Sequence, residues 1–176
     1  MENDEQQLQL ARTVLQQGEV KLQAQLQAAL AADQRAMVLA GMFATAAVAA
    51  FGLAILAVDR EAAMWNLFSG GLAAGACLMV GAYQCLQAAW PQEFRFPGNQ
   101  PDNWWSDGVE KRPLADSLKN QSKHYQKAII ENRFAMERNA KKTEVGAKWG
   151  LSAAGAGLAA AVVVQLLRTW AAPGAA

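Results

Sequence analysis

Three stretches of this chain contain no Asp, Glu, Lys or Arg: residues 36–58, 62–90 and 149–167. A soluble helix turns at least one face to water and marks it with charge, so runs this long without a charged residue have no side suited to water. The first run holds 23 residues, about 34 Å of helix, against a hydrocarbon core about 30 Å thick. Its nine Val, Leu, Ile and Phe residues favour insertion by roughly 3 to 5 kcal/mol, with alanine close to neutral. In the second run Trp65 and Tyr83 lie eighteen residues apart, and Trp149 and Trp170 bracket the third at twenty-one. These separations, about 27 and 31 Å of helix, place rings at both interfaces of a bilayer. The averages hide this: 53% hydrophobic content and a mean hydropathy of +0.01 would suit a soluble domain. They do so because fourteen of the sixteen Lys and Arg fall in residues 1–35 and 91–148. No short basic segment precedes the first run, which argues against a cleaved signal peptide.

The expected fold class is therefore all-α, an integral membrane protein with three transmembrane helices. A cytosolic amphipathic N-terminal helix and a long stalk helix continuous with the third span complete it. The segments read as an amphipathic helix over 1–35, a transmembrane hairpin over 36–90 and a Pro/aromatic loop over 91–112. A stalk over 113–148, a third span over 149–170 and a short tail over 171–176 follow. Only Asp59, Arg60 and Glu61 separate the first two runs, so they form a tight hairpin, and the N-terminus shares a side with residues 91–148. The bias of Lys and Arg toward that side predicts that it faces the cytoplasm, with the C-terminus outside, in a bacterial inner membrane. Lys141, Lys142 and Lys148, just before the third span, also suit anionic headgroups.

Leu8, Ala11, Leu15, Gly18, Leu22, Leu26 and Ala29 recur at three-to-four spacing in a Gln-rich segment without proline. This is one face of a helix with a coiled-coil-like period. It serves equally well to oligomerise or to pack on its own chain. The stalk repeats the pattern at Leu118, Ser122, Tyr125, Ile129, Asn132, Met136, Asn139, Thr143 and Gly146. Asn132 and Asn139, one heptad apart, are candidates for setting neck register, against the plainer reading that they face water at a loose seam. Both helices run toward the membrane and would pack in parallel, within one chain or between chains.

Four of the five prolines lie in 91–113, interleaved with Phe94, Phe96, Trp104 and Trp105. These aromatics either anchor the loop at headgroup level or against the cytosolic helices, or form a partner surface. Inside the spans, Gly71 and Gly75 make a GxxxG, and Gly146, Gly150, Ala153, Gly157 and Ala161 make a small face. Both allow close helix approach, within the chain or between copies.

A net charge of +1 excludes a strongly basic nucleic-acid binder. The sole His124 has no neighbouring ligand set, Cys77 and Cys85 are too far apart on one helix to bridge, and no catalytic or phosphate-binding motif is present. No enzyme activity, cofactor or metal is expected. No acid or base lies inside a span, which excludes the usual proton or ion-coupled carrier site and leaves a passive pore open. The expected partners are the lipid bilayer, further copies of the chain and a cytosolic protein.

The order of polar helix, tight hairpin over 36–58 and 62–90, and cytosolic helix bearing Asn132 and Asn139 resembles the small bacterial SLATT-type effectors of antiphage nucleotide signalling. That resemblance implies a membrane part that oligomerises and disrupts the membrane when a sensor partner signals. The third span departs from the two-span pattern of that group. Two function classes follow: a self-associating, pore-forming or membrane-disrupting effector, and an anchor or accessory subunit that holds a partner without conducting.

Overall fold

A computed structural model describes residues 2–58, 64–98 and 113–171. Within them the chain is helical, with no strand: α1 (Glu2–Val58), α2 (Trp65–Ala88) and α3 (Leu114–Ala171). All three are long and apolar enough to cross a membrane. α1 runs through 57 residues without a break, because no proline interrupts it and its Gln, Ala and Leu are strong helix formers. α2 ends ahead of Pro91, which has no N–H to extend a helix and disfavours helical backbone in the residue before it. α3 begins where the Pro113 carbonyl accepts the Asp116 and Ser117 amides. Asp116 sits in its first turn and Arg168 in its last, each matching the helix dipole.

The chain divides into two compact units, residues 1–32 with 91–138, and residues 33–90 with 139–176. In the first unit the cores of α1 and α3 are large side chains. Leu22, Tyr125 and Ile129 form a buried cluster flanked by Leu15 and Ala128. The Tyr125 ring lies over Gly18, where an added Cβ would stand 3.1 Å from the ring.

The second unit buries small side chains. On α1 the sealed positions are Ala36, Ala40, Ala47, Ala54 and Ala57, while Val48, Leu53, Ile55 and Leu56 face outward. α2 packs antiparallel on both of its neighbours, since Gly71 meets Ala50 and Gly81 meets Phe43, while Gly70 meets Gly157 and Gly81 meets Gly146. α1 and α3 are therefore parallel in this unit. On α3 only 6% of the most apolar stretch is buried, and Leu151 is 82% exposed. Small inside and large outside is the reverse of a water-soluble bundle and is the arrangement that suits helices packed in lipid.

Candidate functional site

In the first unit, the residues after α2 form an extended strap along α3. Arg138 Nη2 donates to Gln92 Oε1 at 2.8 Å. Asn132 Nδ2 donates to the Arg95 carbonyl at 2.9 Å, and its Oδ1 accepts the Arg95 N–H at 3.0 Å. The Gly98 N–H donates to the Tyr125 hydroxyl at 3.1 Å. Three extended residues span about 10 Å, as do six or seven residues of helix, so an antiparallel strap meets α3 once per heptad. Arg95 adds an exposed ion pair to Glu131 at 3.3 Å.

Asn132 is 1% exposed, and its amide satisfies the N–H and C=O of Arg95 as a neighbouring strand would. The Tyr125 hydroxyl in turn donates to Glu19 Oε1 on α1 at 3.1 Å, so one phenol joins both helices and the strap. Gln25 Nε2 reaches the Ile129 carbonyl at 3.1 Å, while Gln25 Oε1 is buried without a partner among the described residues. Gly98 ends the described strap with φ of +126°, a conformation that glycine adopts without strain.

Phe94 is half-buried, and Phe96 is 64% exposed. Trp104 and Trp105 lie outside the described residues. Asn139 is half-buried and its carbonyl accepts the Thr143 hydroxyl. Register-setting between chains by Asn132 and Asn139 stays an expectation, and the Asn132 amide is engaged within its own chain.

In the second unit the structure sets each predicted glycine against a neighbouring helix. A Cβ at Gly71 would fall 2.8 Å from the Ala50 carbonyl, and one at Gly75 would enter the Phe51 ring. Gly150 lies against the Phe43 ring. Gly146 faces the Gly81 carbonyl, and Gly157 the Gly70 carbonyl, each closely enough that a methyl group would clash or crowd. Ala153 is buried in the same seam.

Gly70 and Gly81, which sequence reading missed, complete two reciprocal glycine crossings between α2 and α3. Their signal was available: Gly70 and Gly81 are eleven residues apart, as are Gly146 and Gly157, and eleven residues make three helical turns and return to one face. Sequence reading also missed the Asn66 side-chain amide bonded to Gln165 Oε1. A third missed contact is Lys142, whose ammonium lies 3.5 Å from the Gln87 carbonyl. Since α2 has no basic residue in its last turn, Lys142 brings positive charge to that helix end from a neighbouring helix.

Among the described residues no cluster of His, Cys, Asp or Glu could hold a metal ion. The paired amides and packed glycines hold backbone together, and the buried phenol is held between the Glu19 carboxylate and the Gly98 N–H. No known protein family, curated protein or solved structure matches this chain.

Proposed function

We propose that this chain is a three-span membrane protein of the bacterial inner membrane, with its N-terminus and residues 91–148 cytoplasmic. It acts by assembling with copies of itself rather than by catalysis. The observation that carries this reading is the inverted packing of the second unit, with alanine and glycine inside and Leu, Ile, Val and Met outside. In water, that exposed apolar surface would drive aggregation, whereas in a bilayer it is solvated by lipid. Self-association is supported by exceptions on the outward faces. Gly41, Thr45 and Ala49 on α1, and Ser152, Gly155 and Ala159 on α3, are exposed and small. An added Cβ at Gly41 or Gly155 would meet nothing within 4 Å. Small outward positions admit a second helix closely. The resemblance in layout to SLATT-type effectors, from which the third span departs, extends the proposal to an assembly that permeabilises the membrane.

The alternative is a non-conducting anchor. Phe96, Ile130 and Phe134, exposed outside the spans, favour it as a surface for a cytosolic partner.

The test is expression of the full chain with Gly155→Leu and Gly75→Leu beside it. Membrane insertion is scored by carbonate extraction, assembly by cross-linking in the membrane, and permeability by membrane potential. The wild type is expected to resist extraction, cross-link as an oligomer and depolarise the cell. Gly155→Leu should insert but remain monomeric, whereas Gly75→Leu, which strikes Phe51 within the chain, should disturb folding. A wild type that stays monomeric at high inserted expression would overturn self-association. An oligomer that leaves the potential intact would favour the anchor.

A further inference from the structure

The antiparallel course of α2 brings Arg35 on α1, the Tyr83–Ala88 end of α2 with Trp90 just after it, and the Lys141–Trp149 stretch of α3 to one end of the second unit. Four of the unit's five described Lys and Arg (Arg35, Lys141, Lys142 and Lys148) lie at this end, and Arg168 lies at the other. Their engagements differ. Lys142 is held at the Gln87 carbonyl, and Lys148 pairs with Glu144 at 2.6 Å. Arg35 and Lys141 are exposed and make no hydrogen bond or ion pair among the described residues. Two acids share the end, Asp33 and Glu144, and partial burial pushes the Asp33 carboxyl above its usual range. Trp90 and Trp149 are exposed here too.

We propose that this end of the unit binds the phosphate of an anionic phospholipid headgroup. Arg35 and Lys141 are its main cationic contacts, Lys148 exchanges from Glu144 to join them, and Trp149 sits at the level of the lipid glycerol. The proposal rests on the membrane reading above. Charge complementarity identifies the occupant: four bases against two acids attract an anion, and a zwitterionic lipid gains little from them. The depth fits as well. Lys141 lies eight residues before Trp149, about 12 Å along the helix. Trp149 marks the interface, and the Lys141 charge above it acts on headgroup anions across a distance comparable to the Debye length.

The test uses the full chain reconstituted in vesicles of phosphatidylcholine containing brominated phosphatidylglycerol or brominated phosphatidylcholine. Tryptophan quenching measures contact with each lipid, and Trp149→Phe identifies the component that reports this end. The wild type is expected to prefer the anionic lipid by about 25-fold or more at low salt. About fivefold of that preference should be lost on Lys141→Gln and again on Arg35→Gln, the effect of one base near an anionic surface. Arg168→Gln should leave it unchanged. Equal quenching by the two lipids, in a chain that resists carbonate extraction, overturns the headgroup site alone. Extraction of the chain overturns both this site and the membrane reading, and a preference that survives both substitutions overturns the assignment to Arg35 and Lys141.

Discussion

The two units hold their helices together by opposite means, although the same two helices, α1 and α3, run through both. In residues 1–32 with 91–138 the seam is filled by Leu15, Leu22, Tyr125 and Ile129, and its polar groups are closed by Asn132, Tyr125 and Gln25. In residues 33–90 with 139–176 the seam is made of alanine, glycine and Cys85 with the Phe43 and Phe51 rings set into glycine notches, and the bulky aliphatic side chains lie outside. The contrast reflects the solvent each surface suits. In water, burying a leucine gains roughly 2 kcal/mol over leaving it exposed, so large apolar groups collect inside. In lipid that gain vanishes, and close backbone approach with many short contacts becomes the main attraction between helices. The same α1 backbone therefore changes its buried residue type from Leu22 to Ala47 within seven turns of helix.

The sharpest way to break this comparison is a pair of leucine truncations on α1. Leu22→Ala should destabilise the first unit by about 2 to 5 kcal/mol. Leu53→Ala, at an outward position, should change stability by less than about 0.5 kcal/mol. Denaturation in mild detergent with hydrogen exchange resolved along α1 would check both, and equal losses would mean that Leu53 is also part of a core. Next in size is the reverse substitution: Gly146→Leu drives a side chain into Cys85 and the Gly81 backbone. It should cost about 1 to 3 kcal/mol, with the loss read in exchange of residues in the second unit. Unchanged protection there would show that the α2–α3 seam is looser than its glycine crossings require.

Asn132→Leu keeps the apolar stripe of α3 but strips the Arg95 N–H and C=O of their partner. It should release the strap and cost about 1 to 3 kcal/mol. Amide exchange at Arg95 and Gly98 rising together is the expected signature, and a gain in stability would mean that water satisfies Arg95 as well as the amide does.

The smallest effect is electrostatic. The Lys148 hydrogen bond and charge, with help from Lys141, hold the exposed Glu144 carboxyl below its usual range. A carboxyl lowered by folding adds stability above its unfolded value, and that addition is lost as the pH falls through the lower folded value. Burial of Asp33 acts in the opposite sense, penalising the folded chain once that carboxyl ionises and relieving it in acid. Glu144→Gln should therefore slightly reduce stability at neutral pH and flatten the acid limb of the melting profile, whereas Asp33→Asn should slightly raise stability. Identical acid limbs in all three proteins would show that neither carboxyl matters.

Much of this architecture could be read from the chain alone. Charge-free runs, the stripe from Leu8 to Ala29 and its counterpart from Leu118 to Gly146 require only local periodicity, which three-dimensional packing seldom overrides over such lengths. The small residues of the spans were legible as a class. Their partners were not, because GxxxG names a face and not what covers it: Gly71 and Gly75 turned to α1, while the α2–α3 crossings fell to Gly70 and Gly81. The strap was the least legible, since an extended segment has no hydrophobic period and its hydrogen bonds come from side chains more than twenty residues away.

What the sequence determined by itself is thus the helical class, the three apolar stretches and the residue types on each stripe, since each follows from composition and spacing within a few turns. Only the tertiary structure decided that Asn132 clamps Arg95, that one phenol joins Glu19 and Gly98, and that Phe43 and Phe51 fill glycine notches on neighbouring helices. These pairings depend on which helix faces meet and at what register. Register is set by the summed fit of many side chains across the seam, so no single segment encodes it.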